Sequence, residues 1–163
     1  MVHQFGPNAQ DAHERSLILQ SKGPILNVVL STTHDRSANE LSSNFFPERR
    51  NLKALIDTGA SVNCIDNRAA KKLNLPVIDY KIFQSASGRA PTPIYLGKIE
   101  IPDLNTIILG QFYGAELGNN NESYQCLLGR PFLAGFIFSY NGAEGTFHLA
   151  RSKTVLASSE FDE

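Results

Sequence analysis

The sequence is poor in the residues that stabilise small secreted proteins and lacks the long apolar runs that cross membranes. Its 163 residues include no Trp, one Met and two Cys. The two thiols, Cys64 and Cys126, cannot form a disulfide framework, although they could pair with each other. No apolar run approaches the ~18 residues of a membrane span, and the N-terminus lacks the basic region and apolar core of a secretory signal. These absences predict a reducing, cytoplasmic setting and no membrane partner.

The sequence also lacks a charge excess and several familiar catalytic signatures. Lys and Arg total 15 and Asp and Glu total 16, which gives a formal net charge of -1 and no reason to expect a nucleic-acid partner. The four histidines show no metal-ligand spacing, so neither a metal nor a cofactor is predicted. No G-x-S-x-G motif surrounds Ser61, and Gly88-Arg89 and Gly129-Arg130 do not match a phosphate-binding loop. The sequence therefore carries no serine-hydrolase or phosphate-loop motif.

What the sequence does contain is typical of one globular domain. Apolar residues make up 42% and charged residues 19%, and the length suits one core rather than two large lobes. Its 12 glycines and 8 prolines are scattered as turn residues. We expect a flexible N-terminal segment over 1–14, a single domain over 15–150 and a polar C-terminal tail over 151–163.

Most of the chain has the residue pattern of β-strands. The segment "SLILQSKGPILNVVLSTT" contains two β-like runs around Lys22–Pro24, and "LKALID" is typical of a fully buried strand. The chain is β-rich from Val77 to Gly114, where Ile99 and Ile101 alternate with polar neighbours. The segment "FIFSYNGAEGTFHLA" predicts a final hairpin that turns at Asn141-Gly142.

Two short helices interrupt this β-rich pattern. In "NRAAKKLNLP", Asp66 or Asn67 can cap a helix that Pro76 stops. In "YQCLLGRPFLAGF", a buried strand breaks at Gly129, and a short helix begins with Pro131 in its first turn. The predicted fold class is therefore mainly β with one or two short helices.

A polar stretch over 34–50 separates two of the predicted strands. Its pattern indicates a long surface loop with one apolar pair, Phe45 and Phe46. Two interpretations of that pair stay open: an anchor for the loop, or a lid at the rim of a substrate site.

The segment "ALIDTGASVNCID" places one carboxylate, Asp57, directly after an apolar strand. A charge at the end of a buried strand is costly unless it is paired or used. Asp57 could be a turn residue, a metal ligand or one half of a catalytic pair. The tripeptide Asp-Thr-Gly recurs by chance and does not decide among these roles.

A second segment makes the pattern specific. "LIDTGAS" together with the later "CLLGRPFL" resembles the paired signatures of the retropepsin-like aspartic proteases. "SASGRA" stands where that family places the tip of its flap, and "FSYNGAEGTFHL" is similar to the terminal hairpin of many cellular members. The resemblance covers roughly Pro24 to Leu149. It implies a closed, barrel-like acid-protease fold and aspartic endopeptidase activity on a peptide or protein substrate.

The resemblance implies a role for each matching residue. Asp57 is the catalytic residue, and Thr58 and Gly59 support its loop. Behind that loop passes the structural signature, which comprises Leu127, Leu128, Gly129 and Arg130. The substrate groove is lined by Ala60, Ser61, Ala86, Ser87 and Gly88.

Only one Asp-Thr-Gly occurs in the chain, and no Asp-Ser-Gly accompanies it. Two carboxylates that share a proton are needed to activate a water molecule, so the second Asp57 is expected from a second copy in a two-fold homodimer. Two other interpretations stay open. One is a catalytically inactive module that uses the fold for peptide binding or dimerisation, and the other is a processing protease excised from a longer polyprotein.

One departure from the family concerns the residue after Asp-Thr-Gly-Ala. Retroviral relatives often carry an Asp there, which pairs with the Arg of the Gly-Arg signature, whereas this chain has Ser61. Arg130 therefore needs another partner, and Asp66 is one candidate. The family's short terminal dimer strands also have no clear counterpart, because the chain continues beyond "FHLA".

Overall fold

The computed structural model describes residues 1–33, 48–85, 88–117 and 124–152. Within them the chain forms ten strands, three α-helices and a 3-10 helix at Pro102–Leu104. The strands are β1 Val2–Phe5, β2 Ile25–Ser31, β3 Arg49–Ile56, β4 Cys64–Asp66, β5 Val77–Ser85, β6 Gly88–Ile101, β7 Thr106–Ala115, β8 Cys126–Leu128, β9 Phe136–Asn141 and β10 Thr146–Arg151. The helices are α1 Ala12–Lys22, α2 Asn67–Lys72 and α3 Arg130–Leu133.

Six strands form a closed barrel in the order β2-β3-β8-β4-β7-β6, because β6 pairs back to β2. The closing register joins Leu30 to Ile99. Strand β5 extends this ring at β6, with which it forms a long hairpin. The prediction of a mainly β, closed barrel with few short helices is confirmed.

The interior of the barrel follows the two-residue period of its strands. Leu26, Val28 and Leu30 of β2 are at most 1% exposed, and Ile99 and Ile101 of β6 are fully buried. Each such side chain contributes about 1.5–3 kcal/mol by leaving water. The alternation of apolar and polar residues predicted around Ile99 therefore corresponds to side chains that point alternately into the core and toward the surface.

The order of the barrel strands brings together two segments that are far apart in sequence. Strand β3 ends at Ile56, directly before Asp57, and runs parallel to β8 with Ile56 opposite Leu128. On its other side β8 pairs with β4, with Cys64 opposite Leu127. The short apolar strand "CLL" thus lies between the strand that precedes Asp57 and the strand that follows it.

Helix α2 forms as the sequence predicts. The Asp66 carboxylate accepts hydrogen bonds from the backbone N–H groups of Arg68 and Ala69, at 3.0 and 3.2 Å. This is an N-cap, which satisfies two of the free donors at a helix start. Pro76 follows the end of the helix and precedes β5.

The N-terminal region differs from the expectation. Residues 2–5, expected to be flexible, form β1, which pairs with β10 from Val2 opposite Ala150 to Phe5 opposite Phe147. The segment "SLILQ", expected to be a strand, belongs to α1. Asp11 caps the start of that helix, and Gly23, at φ 75°, donates its N–H to Leu19 O at its end. The contiguous apolar residues favoured a strand, although Asp11 and Gly23 are typical helix-capping residues.

The predicted C-terminal hairpin is present, but its turn follows Asn141 instead of including it, because Asn141 pairs with Thr146 at the end of β9. Strands β9 and β10 flank a turn over 142–145, and with β1 they form a second sheet in the order β1-β10-β9. Arg151, the first residue of the expected tail, is the last residue of β10. Three predicted features lie outside the described residues. They are the rest of the tail from 153, most of the 34–50 loop with Phe45 and Phe46, and the flap-tip residues Ala86 and Ser87. No helix in the described ranges is long and apolar enough to cross a membrane.

Candidate active site

The chain reverses direction in a tight turn at 57–60, called the Asp57 turn below. Ala60 N–H donates to Asp57 O at 3.2 Å and closes the turn. Asp57 N–H donates to Leu128 O at 3.0 Å, which continues the β3–β8 ladder by one residue. The backbone of the carboxylate-bearing residue is thus held by a neighbouring barrel strand.

The Asp57 side chain bends back over its own turn. Its Oδ1 accepts a hydrogen bond from Gly59 N–H at 2.8 Å, and the residue is half-buried. A hydrogen bond to a carboxylate is shorter and stronger than one between neutral groups. A Cβ at position 59 would stand 3.1 Å from that oxygen, so glycine suits this close approach.

The signature segment, Leu127–Arg130, packs directly against the Asp57 turn. Arg130 N–H donates to Ala60 O at 2.9 Å. A Cβ on Gly129 would lie 2.4 Å from Val62 O and 2.7 Å from Ala60 O, distances that real Cβ atoms do not reach. Only glycine lets these two backbone segments come so close.

The guanidinium of Arg130, whose partner the sequence did not identify, binds backbone carbonyl groups of the Asp57 turn. Nη1 donates to Thr58 O at 3.1 Å and to Gly59 O at 3.0 Å. The suggested alternative, Asp66, instead caps α2, accepts from Leu117 N–H at 3.1 Å and lies 3.6 Å from Arg68 Nε. The guanidinium thus binds two carbonyl groups of the Asp57 turn.

Sequence reasoning missed Asn63. This residue is buried, with 9% of its surface exposed, and its Oδ1 accepts a hydrogen bond from Gly129 N–H at 2.9 Å. Its backbone oxygen accepts from Tyr113 N–H at 3.0 Å. The sequence signal for this role was a polar residue within the apolar run "VNCI". An amide side chain that is buried there needs a hydrogen-bond partner.

Comparison with known proteins identifies the family of this chain. The family model described as "Aspartyl protease" matches residues 48–132, which contain both the Asp57 turn and the signature segment. The chain belongs to the aspartyl protease family. A search of curated protein sequences found no match.

Several solved structures are similar to this chain. A retropepsin-like aspartic protease from Rickettsia conorii is 17% identical, with 91% of each chain covered and a TM-score of 0.50. The EIAV protease complexed with the inhibitor HBY-793 is 18% identical over 68% of this chain and 85% of that one, with a TM-score of 0.43. The simian foamy virus protease is 14% identical over 68% and 92%, also with a TM-score of 0.43. At such identities the Rickettsia likeness shows a shared fold.

The thiol of Cys64 is influenced by the charge of Asp57. Burial, and secondarily the negative charge of Asp57, raise the pKa of the half-buried Cys64 thiol to about 11. Burial also raises the pKa of Cys126, which is fully enclosed. Because Cys64 lies opposite Leu127 and Cys126 opposite Ile65, the two thiols point to opposite faces of the β4–β8 pair, and both are free.

The residues expected to line a substrate groove are only partly described. Ala60 is half-buried and Ser61 is exposed at the rim of the Asp57 turn. The β5–β6 hairpin stays paired as far as Ser85 opposite Gly88. A groove between the turn and this hairpin therefore stays a prediction. Within the described ranges, no three His, Cys, Asp or Glu side chains lie together in a way that could hold a metal ion.

Proposed function

We propose that this chain is an aspartic endopeptidase that hydrolyses peptide bonds as a homodimer, with Asp57 as its catalytic residue. The observation that carries the proposal is the Asp57 turn, where a half-buried carboxylate accepts Gly59 N–H while β8 holds its backbone. A group that must meet a partner in one fixed orientation needs such support. Membership in the aspartyl protease family supports the same reaction class.

The chemistry requires two carboxylates that share one proton. The ionised member accepts a proton from a water molecule, whose oxygen attacks the carbonyl carbon of the substrate. The protonated member donates its proton to the carbonyl oxygen, which yields a tetrahedral diol. When the C–N bond breaks, a proton passes to the leaving amine. Because the two groups are close, their titration belongs to the pair.

The second carboxylate is proposed to come from a second copy of the chain. One Asp-Thr-Gly is present, and a two-fold axis brings equivalent residues together. Thr58 is exposed in the single chain, so its hydroxyl is accessible to the loop of a partner. In this proposal Ala60 and Ser61, with the hairpin tip at Ala86, Ser87 and Gly88, line the groove for an extended peptide.

The first experiment replaces the proposed catalytic group. Asp57→Asn preserves the size of the side chain and removes the carboxylate, so cleavage of a diverse peptide library between about pH 3 and 7 is expected to disappear. Asp103→Asn is the matched control, since Asp103 is exposed in the 3-10 helix. Circular dichroism and sedimentation should show the same fold and the same dimer for both variants. Unchanged cleavage by Asp57→Asn would overturn the proposal.

A mixing experiment tests whether each chain contributes one of the two catalytic carboxylates. Wild-type chain re-equilibrated with excess Asp57→Asn chain should form mixed dimers with one carboxylate each, and activity should fall well below that of simple dilution. Asp103→Asn chain in the same excess should not lower it. A wild-type chain that stays monomeric, is insensitive to a pepstatin-type inhibitor and cleaves nothing would favour the inactive peptide-binding module.

A further inference from the structure

One peptide group connects Arg130 to the carboxylate of Asp57. Its carbonyl oxygen belongs to Thr58 and accepts from Arg130 Nη1 at 3.1 Å, while its amide N–H belongs to Gly59 and donates to Asp57 Oδ1 at 2.8 Å. A donor at the carbonyl oxygen of an amide polarises the group and makes its N–H a stronger donor. The cation and the carboxylate are therefore joined by two hydrogen bonds through a single planar unit.

Arg130 also fixes the orientation of that planar unit. It binds three successive carbonyl groups: those of Thr58 and Gly59 through Nη1, and that of Ala60 through its backbone N–H at 2.9 Å. A rotation of the peptide group between residues 58 and 59 would break the first contact and turn Gly59 N–H away from Asp57. The guanidinium, with its rigid fork of donors, opposes that rotation.

The base of Arg130 is itself held in place. Gly129 N–H donates to the buried Asn63 Oδ1 at 2.9 Å, and Pro131 lies in the first turn of α3. Within the described part of the chain, no carboxylate lies within ion-pair distance of Arg130, and its guanidinium donates to the two carbonyl oxygens. Because Arg130 is fixed at its backbone and bound to the turn, it can hold Gly59 N–H in the direction of the Asp57 carboxylate.

We propose that Arg130 is a positioning residue for Asp57 and acts through the peptide group between Thr58 and Gly59. The proposal rests on the proposed function for its kinetic consequence, but not for its structural one. In this role Arg130 needs no carboxylate at position 61, because the carbonyl groups of Thr58 and Gly59 accept its guanidinium.

The kinetic test uses Arg130→Met, which keeps the apolar stem and removes every donor. Water can reach the two carbonyl oxygens, so the fold should persist while the Asp57 carboxylate loses its fixed direction. We expect kcat to fall about 10- to 100-fold, as slight misplacement of a reacting group does, with KM changed less than about twofold. Arg130→Lys, which retains a donor, should recover part of the loss. Arg49→Met is the matched control, because Arg49 pairs with Glu100 at the start of β3, far along the strand from Asp57.

The spectroscopic test does not need activity. In a ¹⁵N–¹H spectrum the Gly59 amide proton should move upfield and exchange faster in Arg130→Met than in the wild type, because its hydrogen bond to Oδ1 is weaker. Arg130→Lys should lie between the two, and Arg49→Met should match the wild type. If circular dichroism shows that Arg130→Met does not fold, Arg130→Gln carries both measurements with the same expected directions.

The outcomes separate the two proposals. A wild type that cleaves no peptide overturns the proposed function, while a shifted Gly59 amide in the Arg130 variant would still support the positioning role. An active wild type whose folded Arg130 variant keeps both the wild-type kcat and the wild-type Gly59 signal overturns the positioning role alone. A fall in kcat with an unmoved Gly59 signal also overturns it, since Arg130 would then act by another route.

Discussion

The Asp57 turn and strand β5, which belong to the proposed site, are held in opposite ways. The Asp57 turn is tied through its backbone to β8 and to the signature segment, and Asn63 closes the same network from a buried position. Strand β5 instead lies at the end of the sheet order, and its Tyr80 and Ile82 side chains are 63% and 73% exposed. Lys81 Nζ links this strand to the Tyr113 hydroxyl at 3.3 Å.

The difference indicates a division of roles. A catalytic carboxylate requires a fixed backbone, and buried hydrogen bonds supply it. Burial of exposed apolar side chains by a substrate or a second subunit lowers the free energy, because apolar surface leaves water. In the proposed protease, the turn supplies the chemistry and the hairpin supplies surface that becomes buried on binding. The predictions below test this contrast in order of decreasing effect.

The largest effect is expected for Gly129→Ala. The new methyl group would overlap the Ala60 and Val62 carbonyl oxygens, which are backbone atoms and cannot move aside cheaply. We expect the free energy of unfolding in urea to fall by about 2 kcal/mol or more, together with any peptidase activity. Gly135→Ala is the matched control, because the nearest atom to its Cβ is 4.0 Å away. Equal stabilities of the two variants would contradict the close packing of the turn.

A smaller loss is expected for Asn63→Leu. This change leaves the buried Gly129 N–H without its acceptor, which costs about 1–3 kcal/mol. Asn27→Leu, at an exposed position of β2, should stay within about 0.5 kcal/mol of the wild type. Urea unfolding of both variants measures the difference. An Asn63 variant as stable as the Asn27 variant would show that the network does not depend on this amide.

The hairpin should behave in the opposite manner. Ile82→Thr, at a side chain that is 73% exposed, should change the free energy of unfolding by less than about 0.5 kcal/mol. If β5 contacts substrate, the same variant should raise KM for a good peptide while kcat changes little. A large loss of stability would mean that β5 is held as firmly as the turn, and the contrast would fail.

The smallest effect concerns the reactivity of Cys64. With a pKa of about 11, the thiolate is scarce at neutral pH, so alkylation by iodoacetamide should be slow and rise about tenfold per pH unit up to pH 10. Removal of the negative charge in Asp57→Asn should lower that pKa and accelerate alkylation modestly, by less than about threefold, since burial is the larger cause. Peptide mapping should find Cys126 unmodified, because it is fully buried. Alkylation of Cys64 that is insensitive to Asp57→Asn would place the two groups further apart.

Much of the barrel could be predicted because its signals are local. The apolar run before Asp57, the break at Gly129 and the cap at Asp66 each depend on a few adjacent residues, and each element formed as expected. The first helix could not be predicted in the same way. Its contiguous "LIL" has no helical period. Its formation depends on the caps at Asp11 and Gly23, twelve positions apart, and on Leu19, which is buried in the core.

Pairings between distant segments were also beyond local patterns. Strand β1 looks like a polar terminal segment, but it completes a sheet with β10, and the Phe5 ring stacks on Phe147 with centroids 5.2 Å apart. Its backbone hydrogen bonds are made by residues near the other end of the described chain. Neither composition nor periodicity of residues 2–5 carries that information.

By itself, the sequence determined the carboxylate, the tight turn that follows it and the family to which the chain belongs, because short-range geometry and two spaced signatures are enough for these. The tertiary structure decided how the turn is braced. Asn63 meets Gly129 across 66 residues and Arg130 meets Thr58 across 72, and such contacts exist only once β8 has inserted between β3 and β4. The sequence shows Ser61 and no acid at that position, whereas the two backbone carbonyl groups that accept Arg130 depend on where the barrel places this residue.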